Sequence, residues 1–408
     1  MNSGDFRSRV GRGAFICKLL VLVLGALPLQ SVAITSNEQL HQYVDDLCNL
    51  SNPPSSWDPL SYFTMCTNAA TGGPAAGPTP VGAVSANLGT VNAGTGAALR
   101  KKKGNRVTLD EQKEKPEKGA SADGGGWGFL MAPQYGNSSR IETDLENGYQ
   151  ANLKGLIIGL DYRFSDSFVL GAAVGQTKDD ATFLNSVGSL KTRNNTFSLY
   201  GTWLPTEYTL VDSYLGYGNL SFENKRQFDF GSNVSGTMSG NTSGRQIMAG
   251  LSASYQTDFG QANLASFINL DYIKTSIGGY NESGSDTSTN LMALHYGDRN
   301  TISFTNSVGA RVSTSYGYDW GTLQPSARLA VVHEYQNNAN EIPNELAITP
   351  GMSFAVSTDA PDRNYLSIGL GVSAALNGGT QLFLDYDKRT QDELLSSWAV
   401  SLGAQMEF

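Results

Sequence analysis

A histidine beside a carboxylate is the residue pair that most often supplies a general base for hydrolysis. The chain has 408 residues and three histidines, and among them His333 directly precedes Glu334. A serine nucleophile in a recognisable motif, or a pair of aspartates, would have to accompany that base, and the sequence around His333 offers neither. We therefore predict no catalytic residue, and we expect that the chain is not an enzyme.

Metal and cofactor sites are equally hard to assemble from this sequence. Cys48 and Cys66 have only His41 nearby, which leaves the ligand set of a zinc site incomplete. The glycine run 124–126 precedes a predicted strand, whereas a phosphate-binding glycine loop precedes a helix. We predict no metal and no cofactor.

The composition argues against several classes of protein. The net charge is −9, charged residues make up 16% of the chain, aromatic residues make up 10%, and there are 46 glycines. Disordered proteins are rich in charge and poor in aromatic residues, so this chain does not belong to that class. No stretch reaches the roughly 18 apolar residues that a membrane-spanning helix needs. An acidic chain is also poorly suited to nucleic acid, because phosphate binding needs clustered basic charge.

The N-terminus has the layout of a secretory signal peptide. Basic residues precede an apolar run that ends at Leu29, and small residues lead to a cleavage site after Ala33. We predict that residues 1–33 are removed after export.

Export leaves Cys48 and Cys66 in an oxidising compartment, where an even number of cysteines indicates a disulfide. Apolar residues at helical spacing between Leu40 and Leu50 predict a helix. We therefore predict a small helical segment over residues 34–68, closed by the Cys48–Cys66 disulfide.

Residues 69–125 separate that segment from the rest of the chain. Residues 69–98 are almost all small or polar types, which bury too little surface to order themselves, so we predict a flexible linker. Residues 100–118 are a charge run that opens with Arg100 and three lysines. This run is either a solvated tether or a segment that threads a polar pore.

From Trp127 onward, apolar residues alternate with polar or small ones at the period of two that is typical of β-strands. These segments run for roughly ten to fifteen residues, whereas an ordinary strand has about five or six. A tilted strand that crosses a membrane needs about nine to eleven residues. The apolar face would then meet lipid, and the other face would line an aqueous lumen. The predicted lumen charges include Asp161, Asp271, Asp385 and Asp387.

Short turns and long loops alternate between these segments. The long polar loops are predicted at 134–149, 179–189, 223–243, 276–301, 336–363 and 390–396. Together with the short turns they give an even number of strands, as in bacterial outer-membrane barrels. Aromatic residues near the predicted strand ends, among them Trp127, Trp203 and Trp320, fit an interfacial girdle. We predict an all-β fold, a 12-stranded antiparallel transmembrane β-barrel over residues 126–408.

An ordered set of motifs in this region resembles the β-barrel translocator domain of autotransporters, the type V secretion proteins. The motifs are Gly126-Trp127-Gly128-Phe129, Tyr162-Arg163-Phe164, Ser198 to Trp203, Tyr214 to Gly218 and an alternating last strand that ends on Phe408. The resemblance implies a barrel in the outer membrane of a Gram-negative bacterium that carries an N-terminal passenger through or to that membrane. The passenger would be short, because only residues 34–125 precede the barrel.

The resemblance also implies partners. A last strand that ends on an aromatic residue serves this family as the recognition signal for the barrel-assembly machinery. The assembly signal would then comprise Trp398, Leu402, Met406 and Phe408. Periplasmic chaperones, outer-membrane lipid and the protein's own N-terminal segment in the pore are the other expected partners, and we expect a monomer.

Three functions are compatible with these observations. The first is an autotransporter that displays its short N-terminal segment. The second is a structural or adhesive outer-membrane barrel that acts through its extracellular loops, with the N-terminal segment in the periplasm or plugging the pore. The third is a barrel enzyme with its site near His333.

Overall fold

The computed structural model describes residues 126–407, except for 144, 166, 185–187, 230–234, 261, 286–289, 291–292, 337–340, 348–350, 361 and 378. It also describes Asp46 and Asn49. The predicted signal peptide, the Cys48–Cys66 disulfide, the linker and Phe408 lie outside the described residues. Among the described residues, none lies in a helix long and apolar enough to cross a membrane.

The described chain consists of β-strands joined by turns and loops. In chain order the strands are β1 (Gly126–Arg140), β2 (Tyr149–Ser165), β3 (Phe168–Phe183), β4 (Gly188–Thr206), β5 (Thr209–Asp229), β6 (Ser235–Phe259), β7 (Ala262–Ile277), β8 (Tyr280–Asn281), β9 (Ser283–Gly284), β10 (Leu294–Tyr296), β11 (Arg299–Thr314), β12 (Tyr316–Tyr318), β13 (Gly321–Glu334), β14 (Glu341–Leu346), β15 (Ser353–Ser357), β16 (Asn364–Leu376), β17 (Thr380–Thr390) and β18 (Leu395–Glu407).

Twelve of these strands form a closed antiparallel barrel, which confirms the predicted fold. The strands run in the order β11-β7-β6-β5-β4-β3-β2-β1-β18-β17-β16-β13, and β11 also pairs with β13. The first and last strands close the sheet, with Tyr135 opposite Val400. Because the sheet is closed, every barrel strand makes backbone hydrogen bonds to a neighbour on both sides. A β-sheet can span a lipid bilayer only when its backbone groups are paired in this way.

The predicted faces are also confirmed. On β2, Leu156, Ile158 and Leu160 are exposed on the outside, and Leu160 keeps 50% of its surface accessible. Their neighbours Ile157 and Asp161 are buried and point inward. Exposure of so many leucine, isoleucine and valine side chains to water would be unfavourable. The outer wall of the barrel is therefore suited to contact with lipid.

The barrel has two distinct ends. The short connections lie at one end, here called the turn end, together with the start of β1 at Gly126. The long connections lie at the opposite end, here called the loop end. In bacterial barrels the short turns face the periplasm and the long loops face the exterior.

The strands near the loop end are longer than the sequence predicted. The predicted loops 134–149, 179–189 and 223–243 are largely occupied by strand, because β1, β3, β5 and β6 continue beyond the apolar band. Strand β6 has 25 residues. Outward residues on these extensions, such as Asn241 and Arg245, are polar and exposed, so this part of the wall projects into water.

The lumen is partly apolar, unlike the small and polar interior predicted. One buried cluster contains Leu130, Ile157, Tyr200 and Phe383. A second one, which includes Tyr149, Phe183 and Phe222, lies nearer the loop end. Gly250 is required beside the first cluster, because a Cβ there would overlap the ring of Tyr214.

Candidate functional site: the lumen and its loop-end cap

The lumen at the depth of the apolar band is lined by carboxylates that accept hydrogen bonds from neighbouring strands. Tyr200 donates its hydroxyl to Asp161 Oδ2 over 2.8 Å, and Tyr214 donates to Asp271 Oδ1 over 2.8 Å. Thr202 Oγ1 donates to Asp212 Oδ1 over 2.7 Å. Period-two alternation puts all three carboxylates on the inward face, where the sequence predicted Asp161 and Asp271.

Among the described residues at the depth of the apolar band, basic side chains on the inward face are fewer than carboxylates. Arg328 pairs with Asp387, which the sequence also predicted to face the lumen. A small recess of about 20 Å³ lies beside Asp212 and Asp271, between β4, β5, β6 and β7. Arg163 and Arg311 also lie at inward positions, so the lumen wall at this depth has five aspartates and three arginines and a modest excess of negative charge.

A second sheet caps the loop end. Strands β8, β10, β14 and β15, from the two longest loops, pair in the order β15-β14-β10-β8. The rings of Tyr280 and Tyr296 stack within this cap sheet at 4.6 Å between centroids. The side chain of Tyr280 lies against Gly240 on the inward face of β6, where a Cβ would come within 2.5 Å of the ring. Asn224 Nδ2 donates to the Tyr280 hydroxyl over 3.2 Å.

A buried ion pair joins the cap sheet to the barrel wall. Arg226 on β5 donates from Nε to Glu282 Oε1 over 3.0 Å, and side-chain exposure is 2% for Arg226 and 0% for Glu282. Glu282 Oε2 also accepts the backbone N–H of Leu294 over 3.2 Å. Because this carboxylate contacts both the wall and β10, it fixes the cap sheet against the inside of the barrel.

Arg299 is a second buried arginine beside the cap sheet, at the start of β11. It is 8% exposed, and its Nε, Nη1 and Nη2 atoms have no hydrogen-bond partner among the described residues. The guanidinium lies 6.0 Å from the centroid of the Tyr280 ring.

The loop between β1 and β2 is tied to the loop between β15 and β16. Arg140 Nη2 donates to Glu146 Oε2 and to Asp359 Oδ2, each over 2.6 Å. Thr143 Oγ1 also donates to Asp359 Oδ2 over 2.6 Å. Burial raises the pKa of Glu146 to about 7, Arg140 opposes this rise, and the nearby Asp359 adds to it. Two carboxylates therefore share one guanidinium at the rim of the cap.

The histidine–carboxylate pair considered from the sequence is not brought together. His333 faces outward, where its Nδ1 lies 2.8 Å from Asn364 Oδ1 and its ring packs edge-on against Tyr335. Glu334 points inward and accepts the backbone N–H of Phe304 over 2.9 Å. His295 lies in the cap sheet beside Asn281. Within the described part of the chain, no group of three His, Cys, Asp or Glu side chains could hold a metal ion.

The described members of the predicted assembly signal share the outward face of β18. Leu402 and Met406 are exposed there. Trp398 is on the same face, with its ring 5.8 Å from Tyr135 and 6.3 Å from Tyr386. The cap sheet and its ion pair were not predicted, because Arg226 and Glu282 are far apart in sequence and no short motif links them.

Comparison with known proteins identifies a family that fits this architecture. A family model described as the autotransporter beta-domain matches residues 129–387. The chain is 22% identical over 263 residues to Lipase 1 of Photorhabdus luminescens, covering 64% of this chain and 39% of that protein. It is 27% identical over 278 residues to Outer membrane protein B of Rickettsia conorii, covering 64% of this chain and 16% of that protein. The chain thus spans less than half the length of these curated relatives.

The translocator domain of the autotransporter NalP from Neisseria meningitidis has the same fold. The two structures superimpose with a TM-score of 0.55 at 13% identity, covering 77% of this chain and 98% of that one.

Proposed function

The chain belongs to the autotransporter β-domain family, and we propose that its barrel carries its own short N-terminal segment, residues 34–125, to the outer face of the membrane. The barrel lies in the outer membrane of a Gram-negative bacterium, so the loop end faces the exterior and the turn end faces the periplasm.

The modest excess of negative charge in the lumen is the observation that carries the proposal. Asp161, Asp212 and Asp271 line the wall at the depth of the lipid band. The charge run 100–118 opens with Arg100 and three lysines, which are complementary to such a wall. We propose that this run lies in the lumen and that residues 34–98 lie outside the cell.

The length of the chain before the barrel supports this route. Strand β1 begins at Gly126, at the periplasmic end of the wall, and crosses the barrel in 15 residues. An extended segment of similar length rises by about 3.3 Å per residue and would cross the same height. Residues 69–125 are therefore more than sufficient to return through the lumen to the cell surface.

Surface accessibility of residue 80 tests the proposal. An epitope tag inserted there should be cleaved by protease added to intact cells. A tag after Gln391, between β17 and β18, is the external control, and a tag after Glu207, in the turn between β4 and β5, is the periplasmic control. Protection of residue 80 alongside cleavage after Gln391 would contradict surface display.

That contrary result would favour the second function, a structural or adhesive barrel that acts through its loops. The cap sheet supports this alternative, because the Arg226–Glu282 pair and the Tyr280–Tyr296 stack fix the two longest loops in one arrangement. A fixed surface of this kind suits recognition of another molecule.

We also propose that the barrel has no catalytic role and works as a monomer. His333 and Glu334 project from opposite faces of β13, which supports the first point. The relative named Lipase 1 matches this chain over only 39% of its own length. The assembly machinery, periplasmic chaperones and a lumenal N-terminal segment remain proposed partners.

A further inference from the structure

Three basic residues stand side by side on the outer wall of the barrel. Lys154 on β2 is directly opposite Lys178 on β3, and Lys178 is directly opposite Arg193 on β4. All three are exposed and point outward. Tyr135 on β1 continues the same row, opposite Lys154. We call Lys154, Lys178 and Arg193 the basic row.

Like charges directly opposite one another destabilise a sheet, so this arrangement needs a counter-charge. In the part of the chain that the structure describes, none of the three forms an ion pair with a carboxylate. The next outward row differs, because Lys191 lies opposite Asp180 on one side and Glu223 on the other. Lys191 therefore has a carboxylate directly opposite on both sides, whereas no member of the basic row has a carboxylate directly opposite it.

The basic row lies just outside the apolar band. The last exposed apolar residues before it are Leu156 on β2, Val174 on β3 and Phe197 on β4. Two to four residues separate each of them from the basic row, which at about 3.3 Å per residue is roughly 7 to 13 Å along tilted strands. This is the depth of lipid headgroups, since these add several ångströms beyond the hydrocarbon on each side of a bilayer.

We propose that the basic row binds the phosphate groups of an outer-leaflet lipid headgroup. The row extends over two strand spacings, about 10 Å, which exceeds one phosphate and suits a headgroup with more than one. Arg193 presents a planar fork that can hold two phosphate oxygens at once, and the two lysines add point charges. Tyr135 supplies an amphipathic ring at the same interface. The proposal rests on the outer-membrane location and does not depend on display of residues 34–125.

Lipid binding to the folded full-length protein in an uncharged detergent tests this site. The probes are a bisphosphorylated glycolipid, the same lipid after dephosphorylation, and inorganic phosphate at equal phosphate concentration. Native mass spectrometry would count bound lipid, and thermal unfolding would report stabilisation. The bisphosphorylated lipid should bind and raise the unfolding temperature, and the other two probes should have little effect.

A pair of charge-matched variants localises the binding. Lys154→Gln/Lys178→Gln should bind the phosphorylated lipid at least about tenfold more weakly, the order expected for two basic residues at an anionic membrane surface. Lys191→Gln/Lys225→Gln removes the same charge from residues near Glu223 and should bind as the parent does. Lys154→Arg/Lys178→Arg should retain binding.

Three results would overturn the proposal. The first is equal binding of the phosphorylated and dephosphorylated lipids, and the second is equal loss in the two glutamine variants. The third is equal stabilisation by inorganic phosphate, which would leave the lipid without a role. We expect each variant to fold, because the substitutions are on an exposed surface. Heat-modifiable migration on gels checks that the barrel is folded.

Discussion

Glu282, in the loop that follows β7, lies against Arg226 inside the outer mouth of the barrel, with both side chains almost fully buried. Such a pair is costly to break on one side only, because the remaining charge is left buried without a partner. The pair also contacts β10 through the N–H of Leu294. The position of the cap sheet in the barrel therefore depends on these two residues.

Breaking this pair should release the cap sheet. We expect Arg226→Met to lower the free energy of unfolding of the cap by about 3–5 kcal/mol, because Glu282 stays buried and unpaired. The double variant Arg226→Met/Glu282→Leu should recover most of that loss. Hydrogen exchange of β10 and β14 in detergent measures the effect. Equal exchange in the single and double variants would contradict the coupling.

Arg299 provides a contrast at the same site. Within the described part of the chain its guanidinium has no hydrogen-bond partner, so Arg299→Met removes a buried charge without leaving another unpaired. We expect hydrogen exchange of the cap sheet to be unchanged or slower in this variant. Faster exchange, comparable with that of Arg226→Met, would show that Arg299 has a stabilising partner in the folded protein.

The extent to which the sequence predicts this fold differs between the lipid band and the loop end. The period-two pattern predicted the barrel strands and their faces, since lipid on one side forces apolar residues such as Leu156 and Leu370 outward. Beyond the band the outward face is polar, and the inward positions of β6 there are small or polar apart from Met238. The stretch Ser235–Gln246 therefore shows no alternation, and it is strand because β5 offers a backbone partner, as in the pairing of Asp229 with Ser235. The cap sheet likewise depends on contacts between distant residues.

Protonation of Glu146 should tighten the contact between the two loops at the rim. Its pKa is raised from 4.5 to about 7, so the folded loop holds a proton that an open loop would release. This contribution is fully present below about pH 4.5 and is lost as the pH rises through about 7. Protonation of Glu146 adds at most about 3 kcal/mol to the free energy of opening the loop, since one pKa unit corresponds to about 1.4 kcal/mol.

Limited proteolysis of the loop between β1 and β2 checks this pH dependence. Cleavage should be faster at about pH 8 than at about pH 5, after correction for the activity of the protease. Glu146→Gln keeps a neutral side chain at both pH values and should lose the difference. An unchanged pH dependence in Glu146→Gln would assign the effect to another group.

A charge on the outward face of β16 should destabilise the barrel far more than one in the lumen. Leu370 is 55% exposed on the outside, at the depth of the lipid band. We expect Leu370→Arg to cost about 2–4 kcal/mol in lipid vesicles. Leu370→Ala controls for lost side-chain volume, and Gln324→Arg places the same charge in the lumen, where Gln324 Nε2 donates to the hydroxyl groups of Ser313 and Ser315. Equal losses for the two arginine variants, measured by urea unfolding, would contradict the assigned faces.

Loss of Phe408 should impair assembly in cells, whereas loss of Trp398 should lower the stability of the folded barrel. Trp398 packs against Tyr135 across the seam that closes the barrel, and such an aromatic pair contributes about 0.5–1.5 kcal/mol beyond the area that it buries. Trp398→Ala should therefore unfold at lower urea concentration after refolding in detergent. Phe408 directly follows β18, and we propose that it is part of the signal that the assembly machinery recognises. Deletion of Phe408 should leave protease-sensitive chain in the periplasm of cells, while the same variant refolds in detergent with nearly the parental stability. Parental amounts of folded barrel in cells that carry the deletion would show that Phe408 is not required for recognition.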